Sequence, residues 1–278
     1  MREAIATPKK TQEILNKYQL HAQKRFGQNF LIDVNIVQNI AKVACDADCL
    51  CLEVGPGIGS LTQQLALYAP EVIAYEIDKK LVPLLQKELA SYPQVKIREA
   101  DFLELDLHQV DFKDKELTFC SNLPYYITTP ILFKLLESPL HIRRFTVMMQ
   151  KEVAERLWTQ PNSPEYGALS VIIAYRYQVK KVLAVKRHCF SPAPKVDSVV
   201  LQLLPIRAQN YAFEQSFYRF VQCCFKQRRK TLFNNLKTEF ASEKILSVFC
   251  QLNLKENVRA QELDLLQFLA LHEAFYEG

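Results

Sequence analysis

Glu53-Val-Gly55-Pro-Gly57-Ile-Gly59 is the segment most informative about the fold class of this chain. It follows a short β-rich run at 50–54 and precedes a helical pattern at 60–68. Glycines in such a place let the backbone turn sharply from a strand into a helix and let a ligand approach it closely. The spacing is G-x-G-x-G, whereas the dinucleotide-binding fingerprint is G-x-G-x-x-G. This difference favours a cofactor that has no pyrophosphate to hold.

Strand and helix patterns continue to alternate outward from this turn. The alternation predicts βαβ units and a mostly parallel sheet whose last edge is antiparallel. After Pro205 only helical patterns remain. We therefore predict an α/β domain over residues 1–205, with an N-terminal extension at 1–23, and a small all-helical domain over 206–278. The predicted strands are 50–54, 72–76, 95–98, 117–121, 145–149, 177–185 and 198–203, and the predicted helices are 60–68, 79–91, 130–137, 151–158, 213–225, 229–240, 244–250 and 262–275.

The composition is that of a compact folded protein. The 278 residues are 49% hydrophobic and include only 6 Gly and 13 Pro, which excludes disordered and collagen-like chains. No apolar run approaches the roughly 18 residues that cross a bilayer, and the first residues lack the apolar region of a secretory signal. We therefore expect no membrane association. Eight cysteines in this context indicate free thiols in a reducing, cytoplasmic compartment, and no cysteine or histidine spacing suggests a metal site.

Charge is segregated along the chain, although its net value is only +5. Acidic residues are dense over 98–116, whereas 176–195 and 219–237 contain several basic residues and no acid. Such segregation suits a polyanion held against part of the surface, but it equally suits charged faces that meet only water. Charge alone suggests a nucleic-acid partner without establishing one.

Two carboxylates follow later strands of the predicted sheet. Glu76 closes the second strand, where it can accept hydrogen bonds from both ribose hydroxyls, and Asp101 follows the third, where it can meet the amino group of an adenine. Because parallel strands end at one edge of a sheet, these acids and the glycine turn should lie together. One such acid alone is more often a solvated charge. The three features in order indicate a nucleoside cofactor without phosphates, and S-adenosylmethionine fits, with its carboxylate near the glycine turn.

Asn122-Leu-Pro124-Tyr125 closes the fourth strand and suits chemistry on the exocyclic amine of a nucleobase. Such an amine is a poor nucleophile because its lone pair is delocalised into the ring. Acceptors at the Asn122 side-chain oxygen and the Pro124 carbonyl would favour a pyramidal nitrogen with its lone pair free, and proline fixes φ there. Tyr125 offers a flat face on which an extruded base can stack, worth roughly 1–3 kcal/mol. The alternative is a turn followed by a core tyrosine.

Further strings complete a pattern that extends from Lys24 to Leu203 and resumes at Phe225. They are Lys24-Arg-Phe-Gly27-Gln28-Asn29-Phe-Leu31, Glu76-Ile-Asp78, Asp101-Phe-Leu, Gln150-Lys151-Glu152-Val-Ala-Glu155-Arg156-Leu, Phe190-Ser-Pro192-Ala-Pro194-Lys195-Val196-Asp197-Ser198 and Phe225-Lys-Gln227-Arg228-Arg229-Lys230-Thr231-Leu. In this order the strings resemble those of the ribosomal RNA adenine dimethyltransferases, most closely the bacterial KsgA type. The resemblance implies a Rossmann-like class I S-adenosylmethionine-dependent methyltransferase domain followed by a small helical domain.

The resemblance also implies roles for individual residues. In the family, the residue that matches Tyr125 stacks on the target adenine, and Phe190 is expected to close the other face. Asn122, Pro124, Tyr125 and Phe190 are therefore the expected catalytic residues. The cofactor site is expected to contain Asn29, Leu31, Gly55, Gly57, Glu76, Asp101 and Asn122, and the RNA contacts are expected at Lys195, Lys226, Arg228, Arg229 and Lys230.

The reaction implied by the resemblance is the methylation of two adjacent adenosines at N6, twice each. The target lies in a hairpin loop near the 3′ end of 16S rRNA, within the small ribosomal subunit or its precursor, and S-adenosyl-L-homocysteine is the other product. A monomer is expected. Alternatives are a large-subunit rRNA adenine methyltransferase of the macrolide-resistance type and a non-catalytic RNA- or DNA-binding relative that assists ribosome assembly or transcription. A nicotinamide-dependent oxidoreductase is disfavoured by the glycine spacing.

Overall fold

The computed structural model of the chain describes residues 3–20, 22–23, 27–110, 112 and 116–276, which divide into two compact units. The first unit contains the chain up to Ala154 together with Lys180–Leu204. The second contains Glu155–Val179 and the chain from Pro205 onward. Four parts of the predictions lie outside the described residues: positions 1, 2 and 21 of the extension, positions 24–26 of the string that begins at Lys24, acidic positions 111 and 114, and positions 277 and 278 of the helical domain.

A seven-stranded sheet is the centre of the first unit. Its strands in chain order are β2 (Cys49–Val54), β3 (Glu71–Glu76), β4 (Val95–Glu99), β5 (Glu116–Asn122), β6 (Ile142–Gln150), β7 (Tyr177–Val185) and β9 (Ser198–Pro205). Across the sheet the order is β4-β3-β2-β5-β6-β9-β7. Neighbouring strands from β4 to β6 pair in parallel, as the alternating pattern predicted, and β9 pairs antiparallel with β6. All six residues of β2 are buried, as expected of a central strand in a parallel sheet.

A second, two-stranded sheet was not predicted. It pairs β1 (Phe30–Leu31) antiparallel with β8 (Phe190–Ser191), and the Ile32 N–H extends the pairing by donating to the Cys189 carbonyl at 2.9 Å. Strands of two residues leave no alternating pattern in a sequence, so this pairing could not be read from periodicity.

Helices connect the strands of the first unit. Helix α2 begins where the Asp33 carboxylate accepts hydrogen bonds from the Asn35 and Ile36 amides at 3.0 and 3.3 Å, a typical N-cap. It buries one apolar face, at Val37, Ile40, Ala41 and Ala44, because these positions recur at helical spacing. The helices are α1 (Pro8–Lys17), α2 (Val34–Ala44), α3 (Ser60–Leu65), α4 (Leu81–Glu88) and α5 (Thr128–Leu136), followed by α6 (Lys151–Glu155) at the boundary.

The second unit is helical apart from the first residues of β7. Aromatic side chains fill its interior, with Phe217, Tyr218, Phe220 and Phe268 at most 1% exposed. Its helices are α7 (Ala168–Arg176), α8 (Tyr211–Phe225), α9 (Leu232–Leu236), α10 (Ser242–Gln251) and α11 (Leu265–Tyr276).

The predicted boundary at residue 205 requires a correction, because residues 155–179 belong with the C-terminal helices. The buried Arg176 guanidinium at the end of α7 lies 3.3 Å from the Glu214 carboxylate of α8. The Tyr166 hydroxyl donates to the Leu263 carbonyl at 2.9 Å. These contacts join segments far apart in sequence, and a strand-and-helix pattern carries no signal for them.

Neither a membrane-spanning helix nor a metal-binding cluster is found in the portion of the chain that the structure describes. No helix there has both the length and the apolar content needed to cross a bilayer. No three His, Cys, Asp or Glu side chains of that portion are grouped as metal ligands.

Candidate active site

A cavity opens at the carboxyl ends of the parallel strands of the first unit. Open α/β sheets bind ligands at this edge, because the turns that follow adjacent strands converge there. Of the residues predicted for catalysis and cofactor binding, all but Phe190 line this cavity. The lining members are Asn29, Leu31, Gly55, Gly57, Glu76, Asp101, Asn122, Pro124 and Tyr125.

The glycine turn forms one wall and packs against two other motifs. Gly55 and Gly57 have φ values of +70° and +60°, which L side chains rarely adopt. A Cβ atom at Gly55 would lie 3.2 Å from Pro124 Cγ, and one at Gly57 would lie 3.2 Å from the ring of Phe30. The glycines are thus required both by backbone conformation and by the close approach of neighbouring segments.

Glu76 lies at the end of β3, 4% exposed, facing the glycine turn. Its two carboxylate oxygens accept hydrogen bonds from the Gly57 amide at 3.2 Å and the Asp78 amide at 2.8 Å. Burial raises the pKa of this carboxyl to about 7, against the effect of the amide hydrogen bonds. The carboxylate is therefore held rigidly at the place where ribose hydroxyls were predicted.

Asp101 follows β4 and lies at the same edge of the sheet. Its Oδ1 accepts a hydrogen bond from the Leu103 amide at 2.9 Å and thereby begins a short 3₁₀ helix over Phe102–Glu104. Local capping fixes the direction of the side chain, which is partly exposed in the cavity. The second oxygen suits a hydrogen-bond donor such as an adenine amino group.

Asn122 is the last residue of β5, and its amide group is oriented by the opposite wall. The Asn122 Nδ2 donates to the Asn29 carbonyl at 3.4 Å, and the Asn29 Nδ2 donates to the Gly27 carbonyl at 2.9 Å. With its nitrogen engaged in this way, the Asn122 Oδ1 is the acceptor available to a substrate amine. The contact joins a predicted cofactor residue to a predicted catalytic residue.

The Pro124 carbonyl does not fit the role predicted for it. It accepts two hydrogen bonds within its own turn, from the Ile127 amide at 3.1 Å and the Thr128 hydroxyl at 3.0 Å. A carbonyl oxygen has two lone pairs, so this one is already satisfied.

Leu123 also lines the cavity, although the residue is only 1% exposed. Leu123 therefore meets the cavity with only a small part of its surface, beside its neighbours Asn122 and Pro124.

Phe190 also departs from its prediction. Its side chain is 3% exposed, belongs to a buried apolar cluster and does not line the cavity. The pairing of β8 with β1 places Phe190 opposite Leu31, which does line it. In this conformation Phe190 supports the cavity wall from behind and presents no free face to a base.

The predicted RNA contacts are all exposed and occur in both units. Lys195 lies between β8 and β9 in the first unit, and the other four follow α8 in the second: Lys226, Arg228, Arg229 and Lys230. The Arg228 guanidinium donates to the carbonyls of Tyr166 and Ser163 at 2.9 and 3.3 Å. Arg228 therefore has a structural role in the helical unit, in addition to any contact with RNA.

Comparison with known proteins assigns the family. A family model described as ribosomal RNA adenine dimethylase matches residues 19–276. The chain belongs to this family. The prediction from the motif strings is therefore confirmed over nearly the full length of the chain.

Relatives of this dimethylase that have curated names are similar over their whole length. The ribosomal RNA small subunit methyltransferase A of Oceanobacillus iheyensis is 42% identical over 287 residues, covering 98% of this chain and 97% of that protein. The protein of the same name from Bacillus mycoides is 42% identical over 282 residues, covering 97% of each.

Two solved structures share the fold of this dimethylase. A dimethyladenosine transferase from Plasmodium falciparum has a TM-score of 0.69 at 27% identity, covering 86% of this chain and 94% of that one. The 23S rRNA methyltransferase ErmE has a TM-score of 0.62 at 28% identity, covering 88% and 99%. The predicted fold class, a Rossmann-like class I methyltransferase with a helical C-terminal region, is confirmed.

Family membership confirms two further predictions. The chain is an enzyme, an rRNA adenine dimethyltransferase, and its cofactor is S-adenosyl-L-methionine. The cavity fits the amino-acid part of that cofactor, because two of its lining groups, Glu53 Oε2 and Ser60 Oγ, are buried without a hydrogen-bond partner among the described residues. A carboxylate oxygen can accept from an ammonium group, and a hydroxyl can donate to a carboxylate.

Sequence reasoning missed Asp78 as a site-building residue, although it was part of a recognised string. Its carboxylate is 4% exposed and accepts hydrogen bonds from the side-chain amides of Gln23 and Gln28, at 3.0 and 3.1 Å. This contact holds the N-terminal segment over the end of β3. The proximity of 23, 28 and 78 depends on the tertiary fold and has no signature in local sequence.

Glu53 gives the first testable prediction, which concerns stability. Burial raises the pKa of its carboxyl from 4.5 to about 8. A raised pKa in the folded state means that stability is highest below pH 4.5 and falls as pH rises through 8. Glu53→Gln should therefore lie within about 1 kcal/mol of the wild type near pH 5 and exceed its free energy of unfolding by roughly 2–4 kcal/mol near pH 9. Urea unfolding of the cofactor-free protein at both pH values measures this difference, and an equal difference at pH 5 and 9 would contradict it.

Proposed function

We infer that this enzyme dimethylates N6 of two adjacent adenosines in a hairpin loop near the 3′ end of 16S rRNA and thereby takes part in small-subunit biogenesis. The observation that carries this proposal is the joint placement of Asn122 and Tyr125 in the cavity that also contains Glu76 and Asp101. The names of the 42%-identical relatives favour the small subunit over the large one. A role in the cytoplasm as a monomer is part of the proposal.

The proposed chemistry depends on positioning the amine. When bound, S-adenosylmethionine supplies a methyl group on a positively charged sulfur, so transfer requires orientation more than a strong base. The Asn122 Oδ1 accepts a hydrogen bond from the N6 amino group and draws the nitrogen lone pair out of conjugation with the ring. Because the Pro124 carbonyl is satisfied within its turn, we assign the second acceptor to the Leu123 carbonyl.

The substrate base is proposed to lie on the ring of Tyr125. This ring is half-buried and lines the cavity three residues after Asn122, so a base stacked on it would present its amine to the Asn122 amide. Stacking of an extruded base on an aromatic side chain contributes roughly 1–3 kcal/mol and does not depend on sequence. Recognition of the particular adenosines therefore requires further contacts with the RNA, which we assign to the basic residues.

Exposed basic residues after α8 provide the second prediction. The double variant Arg229→Ala/Lys230→Ala should weaken binding of small-subunit rRNA and reduce the slope of log affinity against log salt by about 1–2, because each phosphate contact releases counterions. Arg228 is left unchanged since its contacts with Ser163 and Tyr166 stabilise the helical unit. The matched control is Lys42→Ala/Lys87→Ala, two exposed lysines of the first unit. An unchanged slope in Arg229→Ala/Lys230→Ala would remove these residues from the RNA interface.

Substrate choice is tested by incubating the enzyme with labelled S-adenosylmethionine and ribosomal subunits from cells that lack the dimethylation. The proposal expects label in small-subunit rRNA and none in the large subunit. Label confined to the large subunit would support the resistance-type alternative. Tight RNA binding without label would support the non-catalytic alternative.

A further inference from the structure

The hydroxyl of Tyr125 contacts a residue that is distant in sequence but belongs to the same unit. The Tyr125 hydroxyl lies 2.7 Å from Ser198 Oγ, within hydrogen-bond distance, although the residues are separated by 73 positions. Ser198 is 2% exposed, whereas Tyr125 lines the cavity and is half-buried. The hydrogen bond therefore joins a buried, fixed residue to a ring that reaches into the site.

Hydrogen bonds of Ser198 and its neighbour Asp197 to other segments fix the position of Ser198. As the first residue of β9 it pairs with Gln150 at the end of β6, and the Lys151 amide donates to the Asp197 carbonyl at 3.2 Å. The Asp197 carboxylate accepts hydrogen bonds from Lys186 Nζ at 2.9 Å and from the Arg187 amide at 3.0 Å. These contacts close the segment 186–198 into a loop whose two ends are fixed, so the Ser198 hydroxyl has little freedom to move.

The same loop supports the cofactor side of the cavity. Within it, β8 pairs with β1 and sets Phe190 opposite Leu31, a lining residue. The loop thus contacts Phe30–Ile32 through backbone pairing and Tyr125 through a side-chain hydrogen bond. Since a base must meet the methyl donor at a defined angle, one loop that fixes both walls is a means of fixing that angle.

We propose that Ser198 is a positioning residue for methyl transfer, which holds the Tyr125 ring through its hydroxyl at the tilt required for stacking the target adenine. This inference rests on the proposed function, because it requires Tyr125 to be the stacking surface. Without the hydrogen bond the ring keeps its area for stacking but loses its fixed orientation about the Cα–Cβ bond. Loss of Ser198 should therefore slow transfer more than it weakens RNA binding.

A double-mutant cycle on Tyr125→Phe and Ser198→Ala tests the proposal. Each variant removes one partner of the same hydrogen bond, and each should lower kcat on undermethylated small subunits by roughly 5- to 10-fold. The double variant should be no slower than the slower single variant, because the interaction is already lost. The dissociation constant for S-adenosylmethionine should stay within two-fold of the wild-type value in all three.

Ser138→Ala is the matched control. Ser138 is a 4% exposed serine that donates to the Leu135 carbonyl at 2.7 Å, and its replacement should leave kcat unchanged.

Each possible result has a definite meaning. The inference would be overturned if the fall in kcat of the double variant were the product of the falls in the two single variants. A wild-type kcat in Ser198→Ala would overturn it as well. Both results would leave the proposed function intact. A matching fall in cofactor affinity would mean that Ser198 maintains the fold of the cavity and does not position the ring. If Ser198→Ala does not fold, Tyr125→Phe alone decides, because a wild-type kcat in that variant excludes any role for the hydrogen bond. A wild-type enzyme that does not label small subunits would overturn the proposed function itself.

Discussion

Asn122→Ala should lower the rate of methyl transfer by roughly 100- to 1,000-fold, the loss typical of removing one preorganised group that stabilises a transition state. The Asn122 Oδ1 is the side-chain acceptor assigned to the substrate amine, and its orientation depends on the 3.4 Å contact of Nδ2 with the Asn29 carbonyl. Single-turnover transfer to undermethylated small subunits measures the effect without interference from product release. Binding of S-adenosylmethionine should change only a few-fold, because the other lining residues of its site are unaltered.

The matched control for this variant is Asn39→Ala, which removes an exposed asparagine from α2. Its rate should equal that of the wild type. Asn122→Asp offers a second comparison, since the carboxylate retains an acceptor oxygen but loses the donor to Asn29. A rate for Asn122→Ala within five-fold of the wild type would contradict the assigned role.

Glu76→Ala should weaken binding of S-adenosylmethionine by roughly 10- to 150-fold, as expected when hydrogen bonds to a charged group are lost. Glu76→Gln, which retains one acceptor oxygen, should have a smaller effect. The wild-type affinity should rise from pH 6 to pH 8, because the pKa of Glu76 in the free protein is raised to about 7 and the ionised carboxylate is the better acceptor. This rise should be smaller in Glu76→Gln, in which Glu53 is the remaining cavity carboxyl with a pKa raised into this range.

Calorimetric titration at both pH values measures these differences. Glu71→Ala is the matched control, because Glu71 lies at the opposite end of the same strand and pairs with Lys96 Nζ at 2.6 Å. It should bind the cofactor like the wild type. Equal affinities for the wild type and Glu76→Ala would exclude Glu76 from the site.

Strand positions and the site acids could be predicted because their signals are local. Apolar runs such as 50–54 and 72–76 identify strands, and parallel strands end at one edge, so Glu76, Asp101 and Asn122 had to converge. The length of each helix was less well predicted. The helix predicted over 60–68 is α3, Ser60–Leu65, since helix ends depend on capping and tertiary contacts more than on apolar spacing.

Contacts between segments distant in sequence could not be predicted. The pairing of Leu31 with Phe190, which buries a residue expected to face the base, depends on two strands of two residues each. The two hydrogen bonds that satisfy the Pro124 carbonyl depend on the geometry of the turn into α5. Ser198 lies 73 positions after its partner Tyr125, and nothing in the local sequence around a serine or a tyrosine identifies such a partner.

Nucleoside analysis of the reaction product tests the proposed dimethylation most directly. Small subunits that lack the modification would be treated with the enzyme and S-adenosylmethionine, and their rRNA would be digested and resolved by mass spectrometry. We expect N6,N6-dimethyladenosine at two adjacent positions near the 3′ end of 16S rRNA, and at least roughly 100-fold less of it in the same time with Asn122→Ala. Methylation confined to 23S rRNA, or at an atom other than N6 of adenosine, would contradict it.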